Sequence, residues 1–354
     1  MIADGTARAD RARCAPAAGG RAGGRKASAG RGRQRGVALI IALILVALAT
    51  ILASKLTFEG FLERKRSTGV LAAEQALQFG LGAEALAADV LAQDAQKSPT
   101  LTTLAAPWAQ PTQPLPITPP DDPEGEPIGT LQGELEDMQG RFNLNSLARM
   151  TQDLKTHISA PDPQPLAQFQ RLLVSVGLEP KWAAIARDWI DSDDMPGSPD
   201  GAEDQVYTSQ TPPYHTGNWP MMSPTELMNL PGFGADRYRK IAPYVTALPT
   251  AQTRINVCTA SAQVIESLDQ DLGGNYTAEV LASYRKTACW PDKNTLQHIL
   301  GAKWQPVANI TVEKSDYFRL TTRVTLGTTE FTLYSLLKRT GGKTTPLLRS
   351  FGTS

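Results

Sequence analysis

The chain has 354 residues, enough for two domains or for one domain with appendages, and its 41% hydrophobic and 20% charged residues mark it as globular. The net charge of zero conceals a split: residues 1–36 carry nine Arg or Lys against two Asp, whereas residues 37–354 carry 26 basic against 33 acidic residues. That acidic main part argues against attachment to nucleic acid through bulk charge, and three His, three Cys and no catalytic motif argue against a typical metallohydrolase or thiol enzyme.

Residues 1–36 are rich in Arg, Gly and Ala and hold no apolar stretch able to form a core. From Val37 to Ser54 there are eighteen residues without a charge. As an α-helix they extend about 27 Å, just enough for a bilayer core of roughly 30 Å. Arg31, Arg33 and Arg35 precede this stretch, so the positive-inside rule leaves the N-terminus cytoplasmic and puts everything after Lys55 across the membrane. Three readings compete: an uncleaved anchor, a secretory signal cleaved after its apolar core, and a leader cleaved before it. A secretory signal should end in a change of pattern, but here helix-favouring Ala, Leu, Glu and Gln continue to about Gln96.

The run Arg33-Gln34-Arg35-Gly36 before Val37, followed by a long apolar helix, resembles the type IV pilin-like superfamily. The resemblance implies cleavage by a prepilin peptidase between Gly36 and Val37 and methylation of the Val37 amine. Most members have Glu at the fifth mature position, where this chain has Ile41. In the family that carboxylate pairs with the amino terminus of the subunit above, because a buried charge is tolerable only when paired. A subunit with nothing above it has no such amine, so Ile41 suits a tip position and avoids a lone charge in lipid.

Nine of the thirty-one residues from Ser98 to Ile128 are Pro, which predicts a linker or surface loop. Residues 128–136 read as a strand, with Gly140 marking a turn. The phrase GRFNLNSL at 140–147 resembles the large minor pseudopilin of type II secretion systems, the K component, which also typically lacks the fifth-position Glu.

Residues 166–190 read as helices broken at Gly177 and restarted at Pro180. The stretch from Asp188 to Asp204 then holds seven carboxylates and no Lys or Arg. Ca²⁺, which takes six to eight oxygens in flexible geometry, would relieve their repulsion; a solvated acidic loop is the alternative. The spacing is not that of an EF-hand, because Met195 and Pro196 interrupt it. The resemblance extends over DWIDSDDMPGSPDGAEDQVY, PPYHTGN and SPTEL and implies a calcium-binding helical domain. Carried over by position, Asp188, Asp191, Asp193, Glu203, Asp204 and Asn218 are its candidate oxygen donors, while Trp189 and Ile190 should face the core.

Residues 223–245 have the form of a helix-hairpin-helix: Ser223 as a cap, a turn at 231–234, then a second helix. A second such unit begins near residue 253. Such hairpins can bind DNA phosphates, and Arg237, Arg239 and Lys240 could supply charge, so a DNA-binding minor pilin of an uptake system is the alternative function. Cys14 lies in the leader, leaving Cys258 and Cys289 in the mature chain. In an oxidising compartment the two can form a disulfide worth roughly 3–4 kcal/mol in the chain-entropy model; two free buried thiols are the other possibility. His157, His215 and His298 read as surface or structural residues. Residues 316–350 alternate as a three-stranded antiparallel meander with turns at Gly327 and Gly341-Gly342.

The expected fold class is α+β, a long N-terminal transmembrane helix packed on an antiparallel sheet, with a large all-helical domain inserted. The expected divisions are a cleaved leader at 1–36, the helix at 37–97 with 37–54 in the membrane, the Pro-rich linker at 98–128, a pilin-like domain at 129–147 and 251–354, and the insertion at 148–250. The resemblance implies a non-enzymatic minor pseudopilin at the tip of the type II secretion pseudopilus. It would initiate assembly in the inner membrane, its C-terminal domain periplasmic, for export of folded proteins across the outer membrane. The implied partners are I- and J-type minor pseudopilins, the major pseudopilin, the inner-membrane assembly platform and the prepilin peptidase, with no nucleic acid.

Overall fold

The computed structural model describes residues 35–119, 121–152, 159–197 and 199–352. Residues 1–34 of the leader, Cys14 among them, and His157 lie outside the described residues. Helix α1 runs from Arg35 to Lys97, and contact clustering divides the chain after Arg66. The first unit is helical from Arg35 onward, and its apolar residues from Val37 to Leu56 are exposed. By length and composition this helix can cross a membrane.

The second unit, Ser67–Ser354, contains the rest of α1, a five-stranded sheet and a helical body with three two-stranded pairings. The sheet has five strands, β1 (Leu115–Ile117), β2 (Gly129–Asp137), β3 (Tyr317–Leu326), β4 (Thr329–Thr340) and β5 (Lys343–Phe351), in that order. Every neighbouring pair is antiparallel. The alternation of β3 and β4 buries Phe318, Leu320, Val324, Leu333 and Leu337. Phe318, Leu320 and Leu337 cluster with Ala87 and Leu91 of α1 and with Trp108, and Val324 clusters with Ala76 of α1. Gly80 lets helix and sheet approach, because a Cβ there would lie 3.2 Å from Leu333 Cδ2. The expected meander is therefore present. The Pro-rich segment is better packed than a plain linker, supplying the edge strand β1 and buried Trp108, since Pro is compatible with a sheet edge.

The buried carboxylate of Glu84 makes a polar contact across this apolar layer. Glu84 of α1 is buried and accepts from Arg349 Nη2 at 2.7 Å, Arg349 Nε at 2.8 Å and Ser335 Oγ at 2.6 Å. The bidentate guanidinium holds its carboxyl below the usual range, against the opposing effect of burial.

Between β2 and β3 the chain builds the helical body. Its helices are α2 (Pro163–Ser175), α3 (Trp182–Asp188), α4 (Asp204–Thr208), α5 (Gly234–Ile241), α6 (Ala262–Leu268), α7 (Ala278–Tyr284), α8 (Lys293–Leu300) and α9 (Trp304–Ile310). A single core runs from Phe142, stacked on Phe169 at 5.1 Å, through Trp182, Tyr207 and Phe233 to Ile310. The insertion consequently continues past the expected end at 250: α6 to α9 pack on the same core as α2 and α3, and the chain rejoins the sheet only at Tyr317. Ile255-Asn256 pairs with Thr311-Val312 inside the body and adds nothing to the five-stranded sheet.

The GRFNLN phrase is structural. Asn143 accepts from Leu248 N and donates to Thr250 O and Thr253 Oγ1, while Asn145 accepts from Met221 N and donates to Met221 O and Leu248 O, at 2.7–2.9 Å. Two buried amides thus hold the returning chain at 221 and 248–253.

Glu84→Gln is expected to destabilise the folded body by about 1–2 kcal/mol at pH 7, because the partly exposed Arg349 can return to water. The folded carboxyl titrates below its unfolded value, so its stabilisation is complete above about pH 4.5 and is lost as pH falls through the folded pKa. Thermal unfolding of parent and variant should therefore converge as pH falls below 4.5.

Candidate metal centre

Helix α3 ends at Asp188, and the acidic loop begins there. Asp188 is fully buried, and its Oδ2 accepts from Gly197 N at 2.8 Å and Ala202 N at 2.9 Å. Gly201 is in contact with that carboxylate and with the Gly197 backbone and leaves no room for a Cβ. Trp189 and Ile190 are buried, as their alternation with the acids predicts. Trp189 Nε1 donates to Glu226 Oε2 at 3.3 Å, and Glu226 also closes a capping box with Ser223. The SPTEL phrase therefore supports the helix that carries the loop.

Asp191, Asp193 and Glu203 each place one carboxylate oxygen within 4.8 Å of the others'. The buried atoms Asp188 Oδ1, Asp191 Oδ1, Glu203 Oε1, Glu203 Oε2 and Asn218 Oδ1 have no hydrogen-bond partner. Unsatisfied buried carboxylate oxygens are costly. Burial and the neighbouring acids push Asp191 up to about 6 and Glu203 up to about 7, and Asp188 is raised chiefly by burial. The donor set therefore fits a hard divalent cation with oxygen ligands.

Asp204 stands apart from the other candidate donors. Its Oδ1 accepts from Thr216 N at 2.9 Å and Thr216 Oγ1 at 2.8 Å, and its Oδ2 lies 2.6 Å from His215 Nδ1. These bonds, with His215 foremost, hold it down at about 2. Asp204 thus ties the start of α4 to the 215–216 segment, and His215 acts as its structural partner. Asn218 donates to Asp194 Oδ1 at 3.3 Å and has a left-handed backbone, φ 44°. The sequence segment 188–204 contains no basic residue, but Arg187 just before it lies 3.8 Å from Asp188 and 3.9 Å from Asp191. One cation at those distances leaves the buried acids under-compensated.

Comparison with known proteins agrees with this architecture. A family model for type II secretion system (T2SS) protein K matches residues 140–250. The protein of that name from Aeromonas hydrophila is 32% identical over 303 residues, covering 82% of this chain and 88% of its own. The chain belongs to the type II secretion system protein K family. Another member, from Pectobacterium carotovorum subsp. carotovorum, is 31% identical over 81% of this chain and 87% of its own. The fold is shared with a chain of the GspK–GspI–GspJ complex from enterotoxigenic Escherichia coli, with a TM-score of 0.66, 24% identity, and coverage of 82% of this chain and 100% of that one. As a protein K, the chain is a minor pseudopilin of the secretion system.

The structure gives the DNA-binding alternative no support. Arg237 donates to the carbonyls of Gly232 and Phe233 and stacks on Trp182, and Arg239 pairs with Asp236. The first hairpin element, Pro224–Asn229, is a 3₁₀ turn. Arg237 is thus engaged in holding the turn to Trp182 of the core, and Arg239 in an exposed pair within its own helix.

The pKa shifts define a test of the acidic cluster. Asp191 and Glu203 bind protons more tightly folded than unfolded, so between about pH 4 and pH 7 rising pH should destabilise the protein in chelator. Glu203→Gln is expected to raise the melting temperature in EDTA at pH 8 and to change it little at pH 5. Scanning calorimetry at the two pH values reads the difference.

Proposed function

We propose that this chain is the tip subunit of a periplasmic pseudopilus, initiating its assembly together with I- and J-type minor pseudopilins for export of folded proteins. The observation that carries the reading is the body built between β2 and β3 of the family fold, on a chain whose apolar helix has Ile41 at the fifth mature position. The solved GspK–GspI–GspJ complex supports the choice of partners, since one of its chains has the same fold. The major pseudopilin, the assembly platform and the prepilin peptidase are the remaining partners of this reading. The N-terminus is cytoplasmic and the sheet and helical body periplasmic, in line with Arg31, Arg33 and Arg35 ahead of the apolar helix.

Processing is the first requirement. The peptidase would cut between Gly36 and Val37 and leave a methylated Val37 amine. Gly36→Leu should leave the uncut chain in the membrane and abolish assembly; mass spectrometry of the parent N-terminus should find Val37 first, and a protein beginning at Met1 or after residue 54 would contradict the reading.

Calcium is the second. Asp191, Asp193 and Glu203 would hold Ca²⁺ with the free oxygens of Asp188 and Asn218, and the bound ion would neutralise the cluster and fasten the two ends of the loop. A ligand that binds only the folded state at about a hundred times its Kd adds roughly 2.7 kcal/mol. Calcium should therefore raise the melting temperature and magnesium, which demands a tighter octahedral shell, should do so poorly. Asp191→Asn and Glu203→Gln should remove most of the rise, whereas Asp204→Asn should keep it. Identical calorimetric transitions in calcium and in EDTA would reduce the loop to a solvated acidic surface.

A further inference from the structure

Cys258 and Cys289 are joined by a disulfide, with their Cα atoms 4.6 Å apart. Beside the bridge, just after α7, lies Arg285, which is 6% exposed. No carboxylate pairs with it among the described residues. Each of its guanidinium nitrogens instead donates to a main-chain carbonyl at 2.6 Å: Nε to Trp290, Nη1 to Ala260 and Nη2 to Val257. Val257 immediately precedes Cys258, and Trp290 immediately follows Cys289. One side chain therefore grips both cysteine-bearing segments.

A buried guanidinium without a counter-ion is unfavourable, and burial lowers its pKa to about 10. The three carbonyls offset that cost only when the 257–260 segment and the 290 segment are docked together. Docking and satisfaction of the charge are thus one event, and neither requires the sulfur–sulfur bond.

We propose that Arg285 is a positioning residue for closure of the bridge, holding the Cys258 and Cys289 segments together while both thiols are still reduced. The oxidant is an external disulfide, small or protein-borne. One cysteine thiolate attacks it, releasing the first external thiol and leaving a mixed disulfide. The second thiolate then displaces the other external sulfur, also as a thiol. Two electrons pass from the cysteines to the external disulfide, and their two protons go to the departing thiols. Arg285 acts on the second, intramolecular displacement by raising the effective concentration of one thiol at the other.

The test uses the full chain in detergent, equilibrated with mixtures of reduced and oxidised glutathione at pH 7, quenched in acid, alkylated and read by mass spectrometry. The proposal expects Arg285→Met to lower the effective concentration of the thiol pair at least tenfold, and Arg285→Lys, which keeps the charge but not the fork, to lower it at least threefold. Values within twofold of the parent for both variants would overturn it. Should Arg285→Met fail to fold, the paired Cys258→Ala, Cys289→Ala variant decides. With Arg285 in place, amide exchange at residues 285–290 should stay within tenfold of the parent, whereas loss of protection there would show that the bridge, not the arginine, holds the segments.

Discussion

The buried carboxylate of Asp137 fixes the place where sheet and helical body meet. It stands at the end of β2, where the chain leaves the sheet, and accepts from four donors at 2.6–3.0 Å: Gln139 N, Asn256 Nδ2, Thr259 Oγ1 and Ser315 Oγ. Ser315 belongs to the segment that brings the chain back to β3, so one side chain joins the departure and the return of the insertion. Gln139 repeats the connection by accepting from Asp316 N and donating to Arg254 O. Arg339 of β4 extends it to α1 and the following segment, reaching Asp94, Thr102 and the Ser315 carbonyl. Burial raises the Asp137 pKa, and the four donors oppose that rise only in part. Such a network is favourable only when complete, which makes the union of the two layers cooperative.

The parts of this fold that were legible in the sequence are those governed by local periodicity. Alternation through Thr, Val, Phe and Leu marks β3 to β5, a long run rich in helix formers and broken only by scattered Gly marks α1, and Gly177 with Pro180 separates α2 from α3. The end of the insertion was not legible. Residues 251–312 form short helices whose only distinguishing property is the core they share, and a shared core is a long-range fact. The interlocking amides of Asn143 and Asn145 escaped for the same reason, since their partners lie 76 to 110 residues away.

The acidic loop divides along similar lines. Charge density pointed only to the 188–204 segment, because repulsion among like charges is a property of composition; the resemblance supplied six candidate donors, and the structure brings Asp191, Asp193 and Glu203 together. The role of Asp204 depends on His215 and Thr216 arriving from the far side of the loop, and the contribution of Arg187 on the end of α3 turning it towards Asp188. Asparagine and aspartate serve here both as candidate ligands and as scaffolding, and only hydrogen-bond geometry separates the two uses.

Ile41 connects this chemistry to the place of the subunit in a filament. On the proposed tip reading, a shaft subunit would carry a carboxylate for the amine of the subunit above it, whereas an apolar side chain at that position makes no such demand and would spare a membrane an unpaired charge. Labelling the helical body and imaging sheared pseudopili by electron microscopy tests the claim most directly. The account predicts one label per filament, at a single end; labels at regular intervals along the shaft would contradict it.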